Sequence, residues 1–413
     1  MERFDYLIVG GGVAGTTAAE TIRELKPESS VAIISDEPHP LYSRVLLPHY
    51  VRGQVPRERV FLRTPADYPA KRIALMAGER AISLDAPERR LRLAGGQELG
   101  FEKLLIASGG EPRPLGIPGE RLKGVSRFQT IEDADQMLEL LAGTERALVA
   151  GSGFIALEYL DILAKAHIPT ALILRGPAFF HRQLEAAGAA FLHEHFHRCG
   201  IEPIFTDDAV TRIEGDEQVR GLRTERGQSL ACDFIGFGIG LERNVGWLEG
   251  SGVVVTPHGV ETDECLATAV GGVFAAGDVA ACYDVASGTY RSRGNWTNAF
   301  LQGKTAGANM AGRTSRQPFQ HVSSYSIKTL GYVIQFIGDI DSRPGVVRLS
   351  RRHPDGERYE QFSLRGDTLV GAVFINHPEA KATAALLIQA ATPVAGLASR
   401  LADPSFDLAS VAP

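Results

Sequence analysis

The sequence lacks any apolar run long enough to cross a membrane. Its 413 residues contain no stretch of about 18 consecutive apolar residues, so no membrane span is expected. It also lacks an excess of positive charge, because its formal net charge is −6, and a nucleic acid is therefore not expected as the main partner. The first residues, MERFDYLIVGGG, lead directly into a strand-like segment and have no basic, apolar leader, which predicts no signal peptide.

Cysteine is scarce, and its spacing excludes two further classes of protein. The four cysteines are Cys199, Cys232, Cys265 and Cys282. They form no CxxC pair and have no histidine at ligand spacing, so neither a disulfide scaffold nor a zinc site is expected. We therefore predict no bound metal and a reducing, cytoplasmic location.

A strand, a glycine-rich turn, a helix and a second strand occur twice in a chain long enough for two or three domains. The first copy is DYLIVGGGVAGTTAAETIRELKPESSVAIISDE and the second is RALVAGSGFIALEYLDILAKAHIPTALILRG. Each copy has the pattern of a mononucleotide-binding unit, so the sequence predicts two nucleotide sites.

The first glycine turn fits GxGxxG between its strand and its helix. Gly10 allows the tight turn, Gly12 lets a pyrophosphate approach the backbone, and Gly15 lets helix and strand pack closely. The helix N-terminus offers amide donors, and Asp36 at the end of the next strand can accept from ribose hydroxyls. The residues expected to bind this dinucleotide are Gly10, Gly12, Val13, Ala14, Gly15 and Asp36.

The second glycine turn fits GxGxxA, and we expect it to bind a nicotinamide dinucleotide rather than to be only a packing turn. Its strand ends in Arg175 and carries no carboxylate that would repel a 2′-phosphate. This favours NADPH and leaves NADH open, since Arg175 can equally be a solvated surface residue. The expected contacts are Gly151, Gly153, Phe154, Ile155, Ala156 and Arg175.

Taken with LLIASGG (104–110) and GVFAAGDVA, these turns resemble the motifs of the FAD- and NAD(P)-dependent pyridine nucleotide oxidoreductases over nearly the whole chain. The resemblance implies an α/β fold with two Rossmann-like dinucleotide-binding domains, as in glutathione reductase, and a small α+β C-terminal domain. It implies an FAD-binding domain of residues 1–115 and 245–318, an NAD(P)-binding domain of residues 116–244, and a C-terminal domain of residues 319–413.

The same resemblance implies further cofactor contacts. The first turn corresponds to the family's FAD fingerprint, the second to its NAD(P) fingerprint, and Asp278 to the aspartate that binds the ribityl chain. In ASGG a serine replaces the usual threonine, which keeps the hydroxyl. The residues added to the expected FAD contacts are Ala81, Ala107, Ser108, Gly109, Gly277 and Asp278.

Three segments resemble one branch of the family, the ferredoxin, rubredoxin and nitrite reductase flavoproteins. These are YSRVLL, GNWTNAFLQGKTAGANMAG and the ending LVGAVFIN…LADPSFDL. Thiol-dependent relatives carry a redox cysteine in a segment like S-F-x-x-C-G-L-P-Y-Y, and in LYSRVLLPHY that position is Val45. Valine forms no thiolate, so thiol chemistry is not expected.

Four residues near the expected nicotinamide and flavin rings receive roles from the resemblance, each with an alternative. Arg44 would contact FAD, or form a surface salt bridge. His49 replaces a lysine close to flavin N5 and is a catalytic candidate, or a packed histidine. Glu158 would meet the nicotinamide amide as a second catalytic candidate, or only complement a helix dipole. Trp296 would shield the flavin or let electrons leave, or serve as a core aromatic.

The function implied is an NAD(P)H-dependent FAD reductase that passes electrons to a small carrier such as rubredoxin or ferredoxin. The alternatives are the flavin subunit of a nitrite reductase system with a sirohaem partner, and a non-enzymatic regulatory flavoprotein. An acidic carrier would need a basic patch, for which Arg291 with Arg293, or Arg348 with Arg351 and Arg352, are the candidates, unless these arginines only form a solvated face. Monomer and homodimer both remain open.

Overall fold

A computed structural model describes residues 1–284, 288–292, 294–312, 315–341, 343–391 and 393–411. The chain divides into two compact units. The first comprises Met1–Leu46, Val55–Glu111 and Leu241–His321, and the second comprises Leu47–Gln54, Pro112–Gly240 and Val322–Pro413. The finer division into three domains stays a prediction.

The strands follow one another along the chain in this order. They are β1 (Glu2–Val9), β2 (Val31–Ser35), β3 (Ile73–Ala77), β4 (Ala81–Asp85), β5 (Arg90–Leu93), β6 (Glu98–Ile106), β7 (Gly110–Pro112), β8 (Val125–Ser126), β9 (Ala147–Ala150), β10 (Thr170–Ile173), β11 (Ile201–Phe205), β12 (Val210–Gly215), β13 (Val219–Thr224), β14 (Ser229–Ala231), β15 (Phe234–Phe237), β16 (Leu241–Arg243), β17 (Val255–Thr256), β18 (Gly259–Thr262), β19 (Val273–Ala275), β20 (Ala280–Asp284), β21 (Thr289–Arg291), β22 (Ser324–Thr329), β23 (Tyr332–Gly338), β24 (Val347–Arg352), β25 (Tyr359–Arg365) and β26 (Thr368–Ile375).

The helices are interspersed among these strands. They are α1 (Val13–Leu25), α2 (Leu47–Val51), α3 (Asp67–Ala70), α4 (Ile131–Leu141), α5 (Phe154–Lys165), α6 (Ala186–Arg198), α7 (Trp296–Met310), α8 (Ala380–Ala390) and α9 (Leu397–Leu401). Short 3-10 turns span Arg44–Leu46, Arg57–Val60, Gly246–Leu248 and Leu408–Val411. No helix among the described residues is long and apolar enough to span a membrane.

The first unit is built on a seven-stranded sheet in the order β3-β2-β1-β6-β5-β4, with β19 also paired to β6. Strands β1, β2, β3, β6 and β19 run parallel, and the apolar residues of all but the edge strand β3 are buried on both faces, as in other α/β sheets. Val9 pairs with Ile34 and with Ile106, so three strands end together. Gly10, Asp36 and the residues after β6 therefore share one edge of the sheet.

Helices α1 and α7 pack almost backbone to backbone in the same unit. A Cβ atom added at Gly303 would lie 2.3 Å from the carbonyl oxygen of Ala14, and one at Gly307 would lie 2.7 Å from that of Ala18. Only glycine fits at these two positions, and this close contact sets how α7 lies beside the first glycine turn.

The second unit repeats the arrangement with a parallel five-stranded sheet in the order β11-β10-β9-β15-β8. Helix α5 follows β9 as α1 follows β1. Helix α4 begins with a capping box, in which the Thr130 side chain accepts from the Asp133 backbone amide and the Asp133 carboxylate accepts from that of Thr130. The two Rossmann-like halves predicted from the sequence are both present.

A five-stranded antiparallel sheet in the order β22-β23-β26-β25-β24, with α8 and α9, completes the second unit. It is the small α+β portion predicted at the C-terminal end. Aromatic rings connect it to α5, because the Phe154 ring centroid lies 4.9 Å from that of Tyr325 and 5.3 Å from that of Phe336.

Candidate functional site

The three glycines that define the GxGxxG motif of the first turn have different surroundings. Gly10 has φ of 120°, and a Cβ there would lie 2.1 Å from the carbonyl oxygen of Ala107. A Cβ at Gly15 would lie 1.9 Å from the Gly10 carbonyl oxygen. At Gly12 the added Cβ would meet nothing within 4 Å. Two glycines are therefore required by the protein itself, and the third leaves an open approach to the backbone.

The N-terminus of α1 is suited to an anion. Its first turn carries no acidic residue, and the Gly12 N-cap supplies no side chain to satisfy the exposed amides. Val13 is half-buried, and Ala14 is buried with its Cβ 3.1 Å from the Cβ position of Gly277. The space at Gly12 and the uncapped amides fit a dinucleotide pyrophosphate.

Asp36 and Ala81 lie close to the same edge of the sheet. Asp36 is exposed directly after β2, and the Nη2 atom of Arg80 is 3.4 Å from its Oδ2 atom. Since Ala81 follows Arg80 and begins β4, this ion pair brings the two predicted contacts near each other.

The crossover after β6 is fixed by its serine. The Ser108 hydroxyl donates to the Asn244 carbonyl oxygen over 2.7 Å. Ala107 is buried, and Gly109 adopts φ of 60° with nothing within 4 Å of an added Cβ. The hydroxyl kept by the serine is thus used to hold two stretches of backbone together.

Asp278 is a half-buried carboxylate to which no described residue donates a hydrogen bond. Burial raises its pKa, and the positive charges of Arg44 and Arg243 oppose that rise. The preceding Gly277 amide is held by the Gln302 side-chain oxygen at 2.7 Å. A carboxylate with unused acceptor capacity beside two cations fits a hydroxyl-bearing ligand such as a ribityl chain.

Arg44 forms the salt bridge that was its alternative role. Its Nη2 atom lies 2.5 Å from the Glu37 Oε1 atom, and the Tyr42 hydroxyl donates to the same carboxylate. The guanidinium also lies 5.5 Å from the Tyr42 ring centroid. These contacts hold Arg44 in one position, and its electrostatic link to Asp278 keeps it in the predicted FAD region. Its contact with FAD stays a prediction.

The thiols of the chain are poorly suited to redox chemistry. Val45, at the predicted cysteine position, is 55% exposed. Burial raises the pKa of Cys199, of Cys265 and of Cys232, the last to about 12, so these groups remain protonated near neutral pH. Cys282 is buried, and its Sγ atom lies 3.6 Å from the Asp263 carbonyl oxygen. Within the described part of the chain, none of the four cysteines forms a disulfide bond.

Trp296 is the first residue of α7 and is half-buried. The side chain of Asn295, the N-cap, accepts from the Asn298 amide at 2.9 Å and fixes where the helix begins. Trp296 is thus not a fully buried core aromatic, and its role beside a flavin stays a prediction.

The second glycine turn shows the same division of roles. Gly151 has φ of 139°, and a Cβ there would lie 2.3 Å from the Gly238 carbonyl oxygen. At Gly153 an added Cβ meets nothing within 4 Å. A Cβ at Gly238 would lie 2.5 Å from the Ala156 amide nitrogen, so strand and helix also pack closely at the third position of the motif.

The remaining residues of this motif contribute differently. The Phe154 ring packs 5.0 Å from that of Phe180, so its side chain belongs to an aromatic cluster and leaves the backbone for a cofactor. Ile155 is half-buried beside it. The strand β10 is followed by Leu174, which is buried, and then by Arg175, which is exposed. Within the described part of the chain Arg175 forms no ion pair, which leaves its choice between nucleotides open.

Glu158 belongs to a buried cluster of charges. The Arg52 Nη1 atom lies 3.1 Å from the Glu158 Oε2 atom and also contacts Asp161, which is fully buried. Asp161 accepts from the Lys165 ammonium at 2.9 Å and from the Leu330 amide at 2.6 Å. The cluster connects α5 to Arg52, which precedes it in the chain, and to Leu330, which follows it.

The pKa of Glu158 is raised to about 7. Burial is the largest cause, the nearby Asp161 charge adds to it, and Arg52 opposes it. Glu158 is the fifth residue of α5, beyond the first turn, so the helix dipole does not account for its position. A carboxyl group that titrates near neutral pH is a reasonable partner for an amide.

His49 lies in α2, which packs against α4 and α5. It is half-buried, and its Nδ1 atom is 2.7 Å from the Gln54 Oε1 atom. The packed-histidine alternative is therefore only partly met, and a catalytic role stays a prediction.

The arginines considered for a basic patch have partners where the structure describes them, and the patch itself stays a prediction. Arg351 is 7% exposed and contacts Glu360, and Arg352 lies 3.0 Å from Glu194. Arg348 donates to two backbone carbonyls, and Arg291 is 3.1 Å from Asp284. Arg293 lies outside the described residues.

Sequence reasoning missed several residues that hold the predicted ones in place. They are Glu37 beside Arg44, Gln302 beside Gly277, and Arg52 with Asp161 beside Glu158. Arg52 and Glu158 are 106 positions apart, and no local pattern connects them. Only Gln302 had a signal, since it belongs to the QG pair of the α7 motif.

Comparisons with known proteins identify the family of the chain. The chain matches the family described as Pyridine nucleotide-disulphide oxidoreductase over residues 4–303 and the one described as Reductase C-terminal over residues 330–412. It is 34% identical over 284 residues to the 5,5'-dehydrodivanillate O-demethylase ferredoxin reductase subunit of Sphingobium sp., covering 68% of each chain. It is 27% identical over 374 residues to the NAD(P)H nitrite reductase of Bacillus subtilis, covering 90% of this chain but 46% of that protein.

A solved structure has the same fold. The ferredoxin reductase for the CYP199A2 system from Rhodopseudomonas palustris superimposes with a TM-score of 0.90 at 23% identity, covering 99% of this chain and 100% of that one. The fold class predicted from the sequence is thereby confirmed. With the family match over most of its length, the chain belongs to the pyridine nucleotide-disulphide oxidoreductases, whose cofactors are FAD and NAD(P)H.

Proposed function

We propose that this protein is an NAD(P)H-dependent FAD reductase that passes electrons to a small redox carrier of the ferredoxin or rubredoxin type. The observation that carries the proposal is a pair of open glycine turns, one in each unit, without a redox-active thiol. Gly12 and Gly153 each leave free space at a helix N-terminus, and valine occupies position 45. The similar ferredoxin reductase subunit of Sphingobium sp. supports this choice of acceptor.

The two turns would hold different cofactors. In the first unit, Gly12 and the amides of α1 would bind the FAD pyrophosphate, Asp36 a ribose and Asp278 the ribityl chain. Arg44, held by Glu37, would meet a phosphate or the ring. The chemistry supplied by bound FAD would be uptake of a hydride from NAD(P)H and transfer of single electrons to the carrier.

In the second unit, Gly153 would receive the NAD(P)H pyrophosphate, and Glu158 would contact the nicotinamide amide. The Arg52–Asp161 pair would position Glu158 by fixing one side of its carboxyl group. A protonated Glu158 can donate to the amide oxygen and an ionised one can accept from the amide nitrogen. With a pKa near 7 both forms are available at neutral pH.

A second candidate is the flavin portion of a nitrite reductase system. It is favoured by the match to the Bacillus subtilis enzyme, of which this chain spans less than half. The sirohaem would then belong to another part of the assembly. The absence of a disulfide bond among the described residues is compatible with a reducing cytoplasm for either candidate.

The proposed acceptor can be tested with purified components under anaerobic conditions. We expect the flavin-loaded protein to reduce a ferredoxin or a rubredoxin with NADH or NADPH, measured as bleaching of the carrier. Reduction of the carrier should require both nucleotide and flavin. A flavin that is reduced rapidly by nucleotide but transfers electrons only to a nitrite reductase partner would favour the second candidate, and a flavin that neither nucleotide reduces within seconds would contradict both.

The assignment of the two glycine turns predicts that Gly12→Ala and Gly153→Ala fail in different ways. Neither new Cβ meets protein atoms within 4 Å, so both variants should fold. Gly12→Ala should weaken FAD binding at least about tenfold, or about 1.4 kcal/mol, because the methyl group occupies the space for the pyrophosphate. Gly153→Ala should keep FAD and raise the KM for nucleotide by a similar factor.

Gly143→Ala is the matched control for this pair, since Gly143 is also open and lies outside both turns. Flavin content, flavin dissociation and nucleotide kinetics are the measurements. Equal loss of FAD in both variants, or an unchanged Gly12→Ala protein, would show that the turns are assigned incorrectly.

The raised pKa of Glu158 predicts a pH dependence of stability. Because the folded pKa of about 7 lies above the ordinary glutamate pKa of 4.5, the fold favours the protonated form. That stabilisation is complete below pH 4.5 and is lost as the pH rises through 7, by roughly 3 kcal/mol in all. Glu158→Gln resembles the neutral acid and should raise the unfolding temperature at pH 8 more than at pH 5.

Glu139→Gln serves as the control, since Glu139 is an exposed carboxylate on α4. Thermal unfolding from pH 5 to pH 8 should show a shallower decline for Glu158→Gln than for wild type or for Glu139→Gln. If all three proteins decline in parallel, the carboxyl group of Glu158 does not carry the shifted pKa.

A further inference from the structure

Three side chains with metal-binding atoms meet at one end of the C-terminal sheet. His353 follows β24, Glu360 is the second residue of β25, and His377 follows β26. These strands are neighbours, with Arg351 paired to Glu360 and Glu360 paired to Phe374. The antiparallel order therefore gathers the two imidazoles around one carboxylate.

The donor atoms of the three side chains are close enough together for one ion to contact all of them in place of the His377–Glu360 hydrogen bond. The Nε2 atom of His353 lies 3.5 Å from the Glu360 Oε2 atom, and the Nδ1 atom of His377 contacts Glu360 Oε1. The three ligand atoms lie within 4.8 Å of one another. Two ligands about 2.1 Å from a tetrahedral zinc ion are about 3.4 Å apart.

One buried nitrogen in this cluster has no hydrogen-bond partner. His353 is 9% exposed, and its Nε2 atom, which faces Glu360, forms no hydrogen bond with any described residue. Leaving such a group unpaired costs about 1–3 kcal/mol. A cation coordinated by this nitrogen would remove that cost.

Glu360 is already oriented as a ligand. The Arg351 Nε atom donates to its Oε2 atom, while the other guanidinium nitrogens donate to the carbonyl oxygens of Asp403 and Phe406. A carboxylate oxygen has two lone pairs, so Glu360 can accept from Arg351 and still bind an ion. An arrangement of this kind fixes a ligand from behind, as outer partners do in metal sites.

The surrounding charge also favours a divalent cation. The cluster lines a cavity of about 410 Å³ together with Glu379 and Asp407. With neutral imidazoles, three carboxylates and the Arg351 guanidinium leave a net charge of −2 around this cavity. One divalent ion brings the charge to zero.

We propose that His353, Glu360 and His377 form a binding site for a divalent transition metal of the Zn²⁺ type. Two imidazole nitrogens and one carboxylate oxygen are a ligand set that zinc accepts, with Glu379 or water completing the coordination. The sequence predicted no metal because these residues are 7 and 17 positions apart and carry no local motif. The ion would join the ends of three strands.

The test uses the complete flavin-loaded protein, stripped of metal with a chelator and then dialysed against Zn²⁺. We expect one zinc per chain by elemental analysis. His353→Gln and His377→Gln keep a polar side chain beside Glu360 and should bind zinc at least about 100-fold more weakly. His258→Gln removes an exposed histidine elsewhere and should bind as the wild type does.

Electron paramagnetic resonance of the Cu²⁺-loaded protein gives a second readout, which oxidised FAD does not obscure. The wild type should show coupling to two nitrogen nuclei and each Gln variant to one. Zinc retained equally by the Gln variants, or none retained by the wild type, would overturn the proposal and leave Glu360 as a hydrogen-bond partner of Arg351 and His377. If both variants lose the flavin and do not fold, the Cu²⁺ spectrum of the wild type decides. Coupling to fewer than two nitrogen nuclei would then overturn the proposal.

Discussion

In each unit, the helix N-terminus is held at the sheet edge because a glycine lies directly against a backbone carbonyl. A Cβ atom added at Gly10 would lie 2.1 Å from the Ala107 carbonyl oxygen, and one added at Gly151 would lie 2.3 Å from that of Gly238. Any side chain there would push the helix away from the sheet. The second glycine of each turn is then left facing open space, and this is where the phosphates of two dinucleotides can reach the amides.

The second constraint is electrostatic, and it separates this protein from thiol-dependent members of its family. Burial keeps the thiols of Cys199, Cys232 and Cys265 protonated, and valine stands where a redox cysteine would be. In the second unit, burial instead brings Glu158 to a pKa near 7 against the opposing charge of Arg52. The chemistry expected of the chain thus rests on bound cofactors, which we propose its own ionisable groups position.

The sequence predicted features that depend on neighbours along the chain. GxGxxG and GxGxxA depend on a few consecutive residues, and so does the substitution at Val45. Contacts between residues that are far apart along the chain left no such pattern in the sequence. Arg52 reaches Glu158 only because α2 packs against α5, and His353 meets His377 only because three strands align. The burial of Arg351 likewise left no local pattern, since it is decided by tertiary structure.

The central claim is that bound flavin is the redox centre and that no thiol takes part. An anaerobic titration of the flavin-loaded protein with dithionite tests it most directly, with the absorbance spectrum recorded throughout. We predict complete bleaching of the flavin after two electron equivalents per FAD, without a thiolate–flavin charge-transfer band at long wavelength. Uptake of four equivalents, or the appearance of that band, would contradict the claim.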